Sequence, residues 1–339
     1  MLINKQGILS SLILFGGVFF SSYLAIKSTV LQDSSRDNNQ VVGVGYQLKD
    51  WQMSETGLLS SFITADKMLH YADGRSNFFA VKAQYFDPKR QEDPPWNISA
   101  DLGRVSADNV WVQLEKNVQL QRAKSKNSAA MEANTDHLIY DRRLSQITTD
   151  AFVTMKEPDL GNVTTGNGLK INLNDNEIKL LNDVHTTYVN QLPLTVHSDE
   201  LEVNYSTQEG IYQGNAVADQ GTRHLTADHI HLIREPNLKK FSEIHAFGNA
   251  KKQAYIELIP KLGESLVKGT SDEIVYHPIL QTLTFKGNVE LDQTGKVYHG
   301  PLATYNLQTE MVNSPASTEG RVMMQLPPDE IATNEKEKT

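Results

Sequence analysis

Apolar and polar positions alternate with a period of two along most of this chain. LKINL from Leu169, IKLL from Ile178, LEVNY from Leu201, HIHLI from His229 and LTFKGNVELD from Leu283 each place an apolar side chain at every second position. That is the pattern of half-buried strands, and after about residue 46 no helical period competes with it. The region is predicted to be all-β.

Two phrases recur within the alternation, and a recurring phrase at a steady interval implies stacked units. In the first, a small residue is followed at +3 and +5 by inward candidates. Its copies are Thr135 (Leu138, Tyr140), Gly166 (Leu169, Ile171), Ser198 (Leu201, Val203), Ala227 (Ile230, Leu232), Ser271 (Ile274, Tyr276) and Gly300 (Ala303, Tyr305). The second phrase is a strand running through Gly-Asn-Val or a variant of it. Its copies are Val112, Leu114, Val118; Ile178, Leu180, Val184; Ile244, Ala246, Ala250; and Leu283, Phe285, Val289. One repeat is then two strands and two turns. Such a unit cannot bury its apolar side alone, so stacked copies generate two long sheets with apolar faces turned toward each other. Gly and Asn tolerate positive φ, and a Gly-Asn pair in mid-strand suits a bend or bulge that keeps the inward phase. The interior so formed is either a dry core or a trough.

Ahead of the strands, Ile8 to Ile26 run for 19 residues without a charge, between Lys5 and Lys27. At 1.5 Å per residue this reaches roughly 28 Å, the thickness of a bilayer's hydrocarbon. A retained membrane anchor is predicted over 8–27, with 1–7 in the cytoplasm and the remainder in the periplasm. The rival reading is a cleaved signal peptide, but Ser22-Tyr23-Leu24-Ala25 is a poor cleavage match. The polar stretch Leu31–Gln40 reads as a tether inside a linker at 28–45, and the charged tail 327–339 as disordered.

The chain's 339 residues carry a formal net charge of -9, which argues against a polyphosphate backbone as partner, so no nucleic acid is expected. It has no cysteine, which removes disulfides, thiolate metal sites and a cysteine nucleophile. His229 and His231 share a strand face, but with Ile230 and Leu232 inward both point to solvent, and no metal or other cofactor is expected. Aspartates follow the small residue at Asp66, Asp101, Asp136, Asp199, Asp228 and Asp272. A glycosidase needs one carboxylate pair, whereas these recur in every rung, so they are read as turn residues. Gly43-Val44-Gly45 lacks the strand and helix of a phosphate loop, and no GxSxG elbow is present. No catalytic residue is expected.

The order of these phrases resembles two families joined in one chain. LPLTVHSDELEVNYSTQEGIYQGNAVADQGTRHLTADHIHLI, with EIHAFGNAKKQA, SDEIVYHPILQTLTFKGNVELDQ and GPLATYNLQTEMV, is similar to the lipopolysaccharide-transport protein family LptA (OstA-like) over 191–326. FITADKMLHYADGRSNFF, WNISADLGRVSADNVWVQLEKNVQLQ and ANTDHLIYDRRLSQITTDAFVTM, behind the apolar N-terminus, resemble its single-span partner family LptC over 46–190. The resemblance implies an open, twisted β-jellyroll preceded by one transmembrane helix. It implies an inner-membrane, single-pass protein that receives lipopolysaccharide from an LptB/LptF/LptG-type ABC transporter and passes it toward the outer membrane. An LptA-like or LptD-type jellyroll would dock edge to edge. The inward residues named above, alanines aside, together with Tyr205, then become candidate contacts for lipid A acyl chains. QLPLT, with one proline and no long linker, argues for continuity at the seam, while AYIELIPKLGESLVKG after Gln253 reads as an inserted loop, a hairpin or lip as readily as a binding element. A structural β-solenoid scaffold and a polysaccharide-acting β-helix enzyme are the other readings.

Overall fold

The computed structural model describes residues 39–326, save for 55, 87–93, 126–129, 142, 173–176, 190–191, 205–206, 208, 235–240, 261–264 and 315–321. The expected anchor at 8–27, the tail at 327–339 and Tyr205 lie outside the described residues. Among those described there is no helix long and apolar enough to cross a membrane.

The chain divides into two compact units, 1–182 with 204–206 and 183–203 with 207–339. The first holds β1 (Val41–Met53), β2 (Leu59–Tyr71), β3 (Ser76–Tyr85), β4 (Trp96–Val105), β5 (Trp111–Arg122), β6 (Met131–Asp141), β7 (Gln146–Glu157), β8 (Asn162–Asn172) and the start of β9 (Glu177–Tyr188). From β1 to β8 each strand pairs antiparallel with the next. β1 begins at Val41, ahead of the expected onset at 46. Its glycines, Gly43 and Gly45, are poor strand formers, and the register with β2 from Tyr71 to Leu59 supplies the ladder that local preference does not.

The second unit holds the end of β9, then β10 (Leu194–Ser198), β11 (Glu200–Asn204), β12 (Glu209–Gln220), β13 (Arg223–Arg234), β14 (Phe241–Phe247), β15 (Ala254–Leu258), β16 (Val267–Ser271), β17 (Glu273–His277), β18 (Thr282–Gln293), β19 (Lys296–Asn306), β20 (Val312–Asn313) and β21 (Met323–Gln325). Its long strands serve two sheets. β13 pairs through Arg223–Thr226 with β15 and through His229–Arg234 with β14. β18 likewise pairs through Thr282–Lys286 with β17 and through Glu290–Gln293 with β16. Each such strand leaves one sheet in mid-run and enters the other. β20 and β21 pair with β19 alone among the described residues, so that edge has no closing partner. The unit is an open β-jellyroll of two facing antiparallel sheets.

The burial pattern records how a strand turns this corner. Along β13 the buried positions are Leu225 and Ala227, then Ile230 and Leu232, a skip of three at Asp228. Along β12 they are Tyr212, then Ala216 and Ala218, a skip of four over Gly214 and Asn215. Between these strands the register jumps from Gln213↔His229 to Ala216↔Ala227, so two residues oppose one. This is a β-bulge that bends the pair while both strands keep their apolar side inward. β18 and β19 repeat it between Lys286↔Leu302 and Val289↔Gly300. In the first unit β4 skips three at Asp101 and β5 skips four over Lys116 and Asn117.

Side-chain chemistry holds the corner. Asn215 Nδ2 donates to Asp199 Oδ2 at 2.9 Å, Asn288 Nδ2 to Asp272 Oδ2 at 2.8 Å, and Asn117 Nδ2 to Asp101 Oδ2 at 2.7 Å. The Asp199 N–H also donates to Gly214 O, and the Asp272 N–H to Gly287 O, both at 2.9 Å. Gly214 and Gly287 sit at φ of 76° and 73°. A methyl group at either would collide with the carboxylate of Asp199 or Asp272. The repeated Gly-Asn and the aspartate ladder are thus two halves of one clasp.

The inserted-looking segment after Gln253 takes the hairpin form among those expected, β15–β16, paired from Ala254↔Ser271 to Leu258↔Val267 and buried at Ala254, Ile256, Leu258 and Val267. The irregularity lies before it. β14 ends at Phe247 and the inward phase resumes at Ala254, so Ala250 is exposed rather than inward. Here the corner is a loop from Gly248 to Gln253, because GNAKKQ is too long for a bulge. Asn249 still donates to Asp228 at 2.6 Å.

Candidate functional site

The interior of each unit is built from the inward positions of long strands. Of the candidate residues, Val112, Leu114, Val118, Leu138, Tyr140, Leu169, Ile171 and Leu180 are buried in the first unit. Val184, Leu201, Ile230, Leu232, Ile244, Ile274, Leu283, Phe285, Val289 and Tyr305 are buried in the second. Ile178, Val203 and Tyr276 are half-buried. Their phase is right; their strands end nearby, so the ring or branch is left partly uncovered.

Several interior residues carry no mark in the +3/+5 phrase. Ile63, Ala65, Met68, Phe78, Val81, Ala83, Ile98 and Ala100 line the first unit, and Val196, Tyr212, Leu225, Ile256, Leu258, Val267 and Leu291 the second. For Ala65, Met68 and Ala100 the signal is the aspartate itself: the buried small residue precedes it, and the next buried position is two beyond it. Ala65-Asp66-Lys67-Met68 and Ala100-Asp101-Leu102-Gly103 show the same skip as Ala227-Asp228-His229-Ile230.

Within the second unit an apolar cavity of about 50 Å³, open on one side, lies between the two inner faces. Leu194, Ala218, Leu225 and Ile256 line it from one sheet and Leu232, Ile244, Ile274 and Leu283 from the other. This is about the space of one or two water molecules, between apolar walls. Its rim is polar. Arg223 Nη1 donates to Tyr276 Oη at 3.0 Å and to Gln220 Oε1 at 3.2 Å, its guanidinium lies 5.4 Å from the Tyr276 ring centroid, and Gln281 Nε2 donates to the same Tyr276 oxygen at 3.2 Å. Arg223 belongs to the sheet of β15 and Tyr276 to that of β14, so the pair latches the sheets across the mouth.

A deeper polar contact sits under β12, where Tyr212 is fully buried and shares a 2.7 Å hydrogen bond with Tyr188. Burial drives the Tyr212 phenol well above its ordinary range, so it stays neutral. In the first unit a second cavity, of about 370 Å³, has a mixed lining, with Phe62, Ala83 and Ile98 beside polar side chains such as Lys82, Gln84 and Gln121.

The outward face of the second unit carries the histidines. His229 stacks on Phe247 at 4.6 Å between centroids, and His231 lies 3.6 Å from Glu209. His245 bridges Glu243 at 2.8 Å and Glu273 at 2.9 Å. The hydrogen bond from His245 holds the Glu243 carboxyl below its usual range. Burial pushes Glu273 up, but hydrogen bonds from His245 and Lys286 outweigh it and leave its pKa lowered. His229 and His231 each keep to their own partner on this outward face.

Asp66, Asp101, Asp136, Asp199, Asp228 and Asp272 stand one to a corner, and four of them, Asp101, Asp199, Asp228 and Asp272, spend carboxylate oxygens on asparagine. No shared cleft assembles them as an acid and base.

Two family profiles match the chain. One, described as lipopolysaccharide-assembly, LptC-related, matches residues 11–189. A second, described as LptA/(LptD N-terminal domain) LPS transport protein, matches residues 195–311. The lipopolysaccharide export system protein LptH of Pseudomonas aeruginosa is 23% identical over 146 residues, which span 43% of this chain and 81% of that protein. The crystal structure of LptH, described as the LptA-homologous periplasmic component of the conserved lipopolysaccharide transport device, aligns with a TM-score of 0.37 at 23% identity. That alignment covers 41% of this chain and 97% of the solved one.

Proposed function

We propose, for a chain that belongs to the LptC-related lipopolysaccharide-assembly family, that its two β-jellyroll segments conduct lipopolysaccharide with the acyl chains held between their facing sheets. It is a periplasmic component of lipopolysaccharide transport, with an LptA-type segment following the LptC-type one in the same polypeptide. The observation that carries the groove reading is the predominantly apolar pair of inner faces in the second unit, open at the β19 side. Each methylene shielded from water is worth about 0.8 kcal/mol, so an acyl chain crossing the periplasm needs such a lining.

The cavity of about 50 Å³ is far smaller than an acyl chain. Passage therefore requires the sheets to part, and the Arg223–Tyr276 latch is the polar contact that parting breaks. Residues 8–27 anchor the chain in the inner membrane, where an LptB/LptF/LptG-type transporter loads it. β1, which pairs only with β2 among the described residues and exposes Val44, Tyr46 and Trp51, offers an edge to that loading side. The β19–β21 edge offers one to an LptA-like or LptD-type jellyroll, by strand addition.

The test is in-cell photocrosslinking from benzoyl-phenylalanine at Leu225, which lines the cavity, against Thr226, which alternates to the outer face. Lipopolysaccharide adducts at 225 and none at 226 support a conduit. Crosslinks at neither site, in a chain that still sustains envelope assembly, mean a dry core and a scaffold.

A further inference from the structure

The end of β9 and β10 carry an arrangement that lipid transport leaves unused. His185 and His197 are directly opposed in the antiparallel register. Their rings lie 4.2 Å apart at an interplanar angle of 36°, with Nδ1 facing Nδ1 at 3.2 Å. The buried positions on these strands are Val184, Thr186, Val196 and Ser198, so both imidazoles stand on the outward face. Asp183 Oδ1 lies 3.2 Å from the other nitrogen of His185, Nε2. One potential ligand atom from each of the three lies within 4.8 Å of the others.

We propose that His185 and His197 bind a divalent transition metal ion of the Zn²⁺ class through their Nδ1 atoms, with Asp183 as the orienting carboxylate. Two imidazole nitrogens at about 2.0–2.1 Å from a tetrahedral metal are themselves about 3.3–3.4 Å apart, close to the separation found here. The carboxylate on Nε2 fixes the tautomer: Nε2 keeps the proton and Nδ1 turns its lone pair toward the metal, the carboxylate–histidine–metal order of many zinc sites. Water supplies the remaining positions. The other histidines differ. Both nitrogens of His245 are taken by Glu243 and Glu273, and His224 spends Nδ1 on Asp219. Among the described residues no other group of three ligating side chains converges in this way.

The location gives the ion a role. The two strands flank the connection between the segment matching the LptC-related profile and the one matching the LptA-type profile. An ion shared by them clips the chain on either side of that connection and stabilises the β9–β10 pairing by mass action. The inference rests on this geometry and not on the transport reading.

Titration of the full chain with Co²⁺, followed by visible absorption and displaced with Zn²⁺, tests it. One saturable equivalent with a tetrahedral spectrum is expected. His185→Gln and His197→Gln are each expected to abolish it, Asp183→Asn to weaken it about 10- to 100-fold, and His245→Gln to leave it unchanged. Zn²⁺ is expected to raise the melting temperature of the wild type and not of His197→Gln, with unchanged circular dichroism confirming that the variant folds. Binding that saturates only in the millimolar range, or that survives in both glutamine variants, overturns the site.

Discussion

Gly287 shows how one residue serves the repeat. Its φ of 73° and the carboxylate beside it leave no room for a side chain. Gly287→Ala is expected to cost about 1–3 kcal/mol for the left-handed backbone alone, and more for the displaced Asp272. Gly57 has a similar φ of 76°, but a methyl group there would meet nothing within 4 Å, so Gly57→Ala is expected to show the backbone cost only. Urea unfolding of the two variants separates the terms. The sequence displays the repeated Gly-Asn and the aspartates as two unrelated ladders. Their union needs the register, which brings Asn215 to Asp199 and Asn288 to Asp272, in each case 16 residues back. A search for asparagine at that interval would have revealed it. His185 and His197 show the same limit: no local motif joins them, and only the pairing of β9 with β10 does.

At the scale of elements, β17 is tied to its neighbours β14 and β18 through Glu273. Its depressed carboxyl pKa means that the folded state favours the ionised form. The stabilisation is present above the unfolded value, about 4.3, and is lost as pH falls through the lower folded value. Glu273→Gln is expected to lower the melting temperature at pH 7 and to flatten its fall below about pH 4.3, as thermal melts across pH 3–7 would record. The latch between β13 and β17 makes a second prediction. Tyr276→Phe removes an acceptor for Arg223 and Gln281 and is expected to cost about 0.5–1.5 kcal/mol. If parting the sheets limits transport, it also quickens lipid transfer to an acceptor jellyroll. Elements with strict alternation, such as β13 and β18, were legible from their residues. β15 and β16 were not, because AYIEL and VKGTS are five-residue strands whose identity comes from their neighbours β13 and β18.

For the whole molecule, the two compact units divide inside β9, since Asp183–Tyr188 fall in the second unit and β10 pairs with this end of the strand. A fragment 183–326 is therefore expected to melt several degrees above a fragment 193–326, which loses five cross-strand pairs; at about 4–8 °C per kcal/mol for a small domain, even one kcal/mol is resolved. Equal melting temperatures would show that the end of β9 contributes nothing to the second unit.

The residues alone determined that this is an all-β chain of stacked rungs, which side chains point inward where the alternation is unbroken, and which families it is similar to, because alternation and turn chemistry are local properties with a period of two. Only the tertiary structure decided which halves of each strand share a sheet, which asparagine meets which aspartate, and that two histidines on successive strands face each other. Those relations depend on register, and a shift of a single residue in register reverses every side chain.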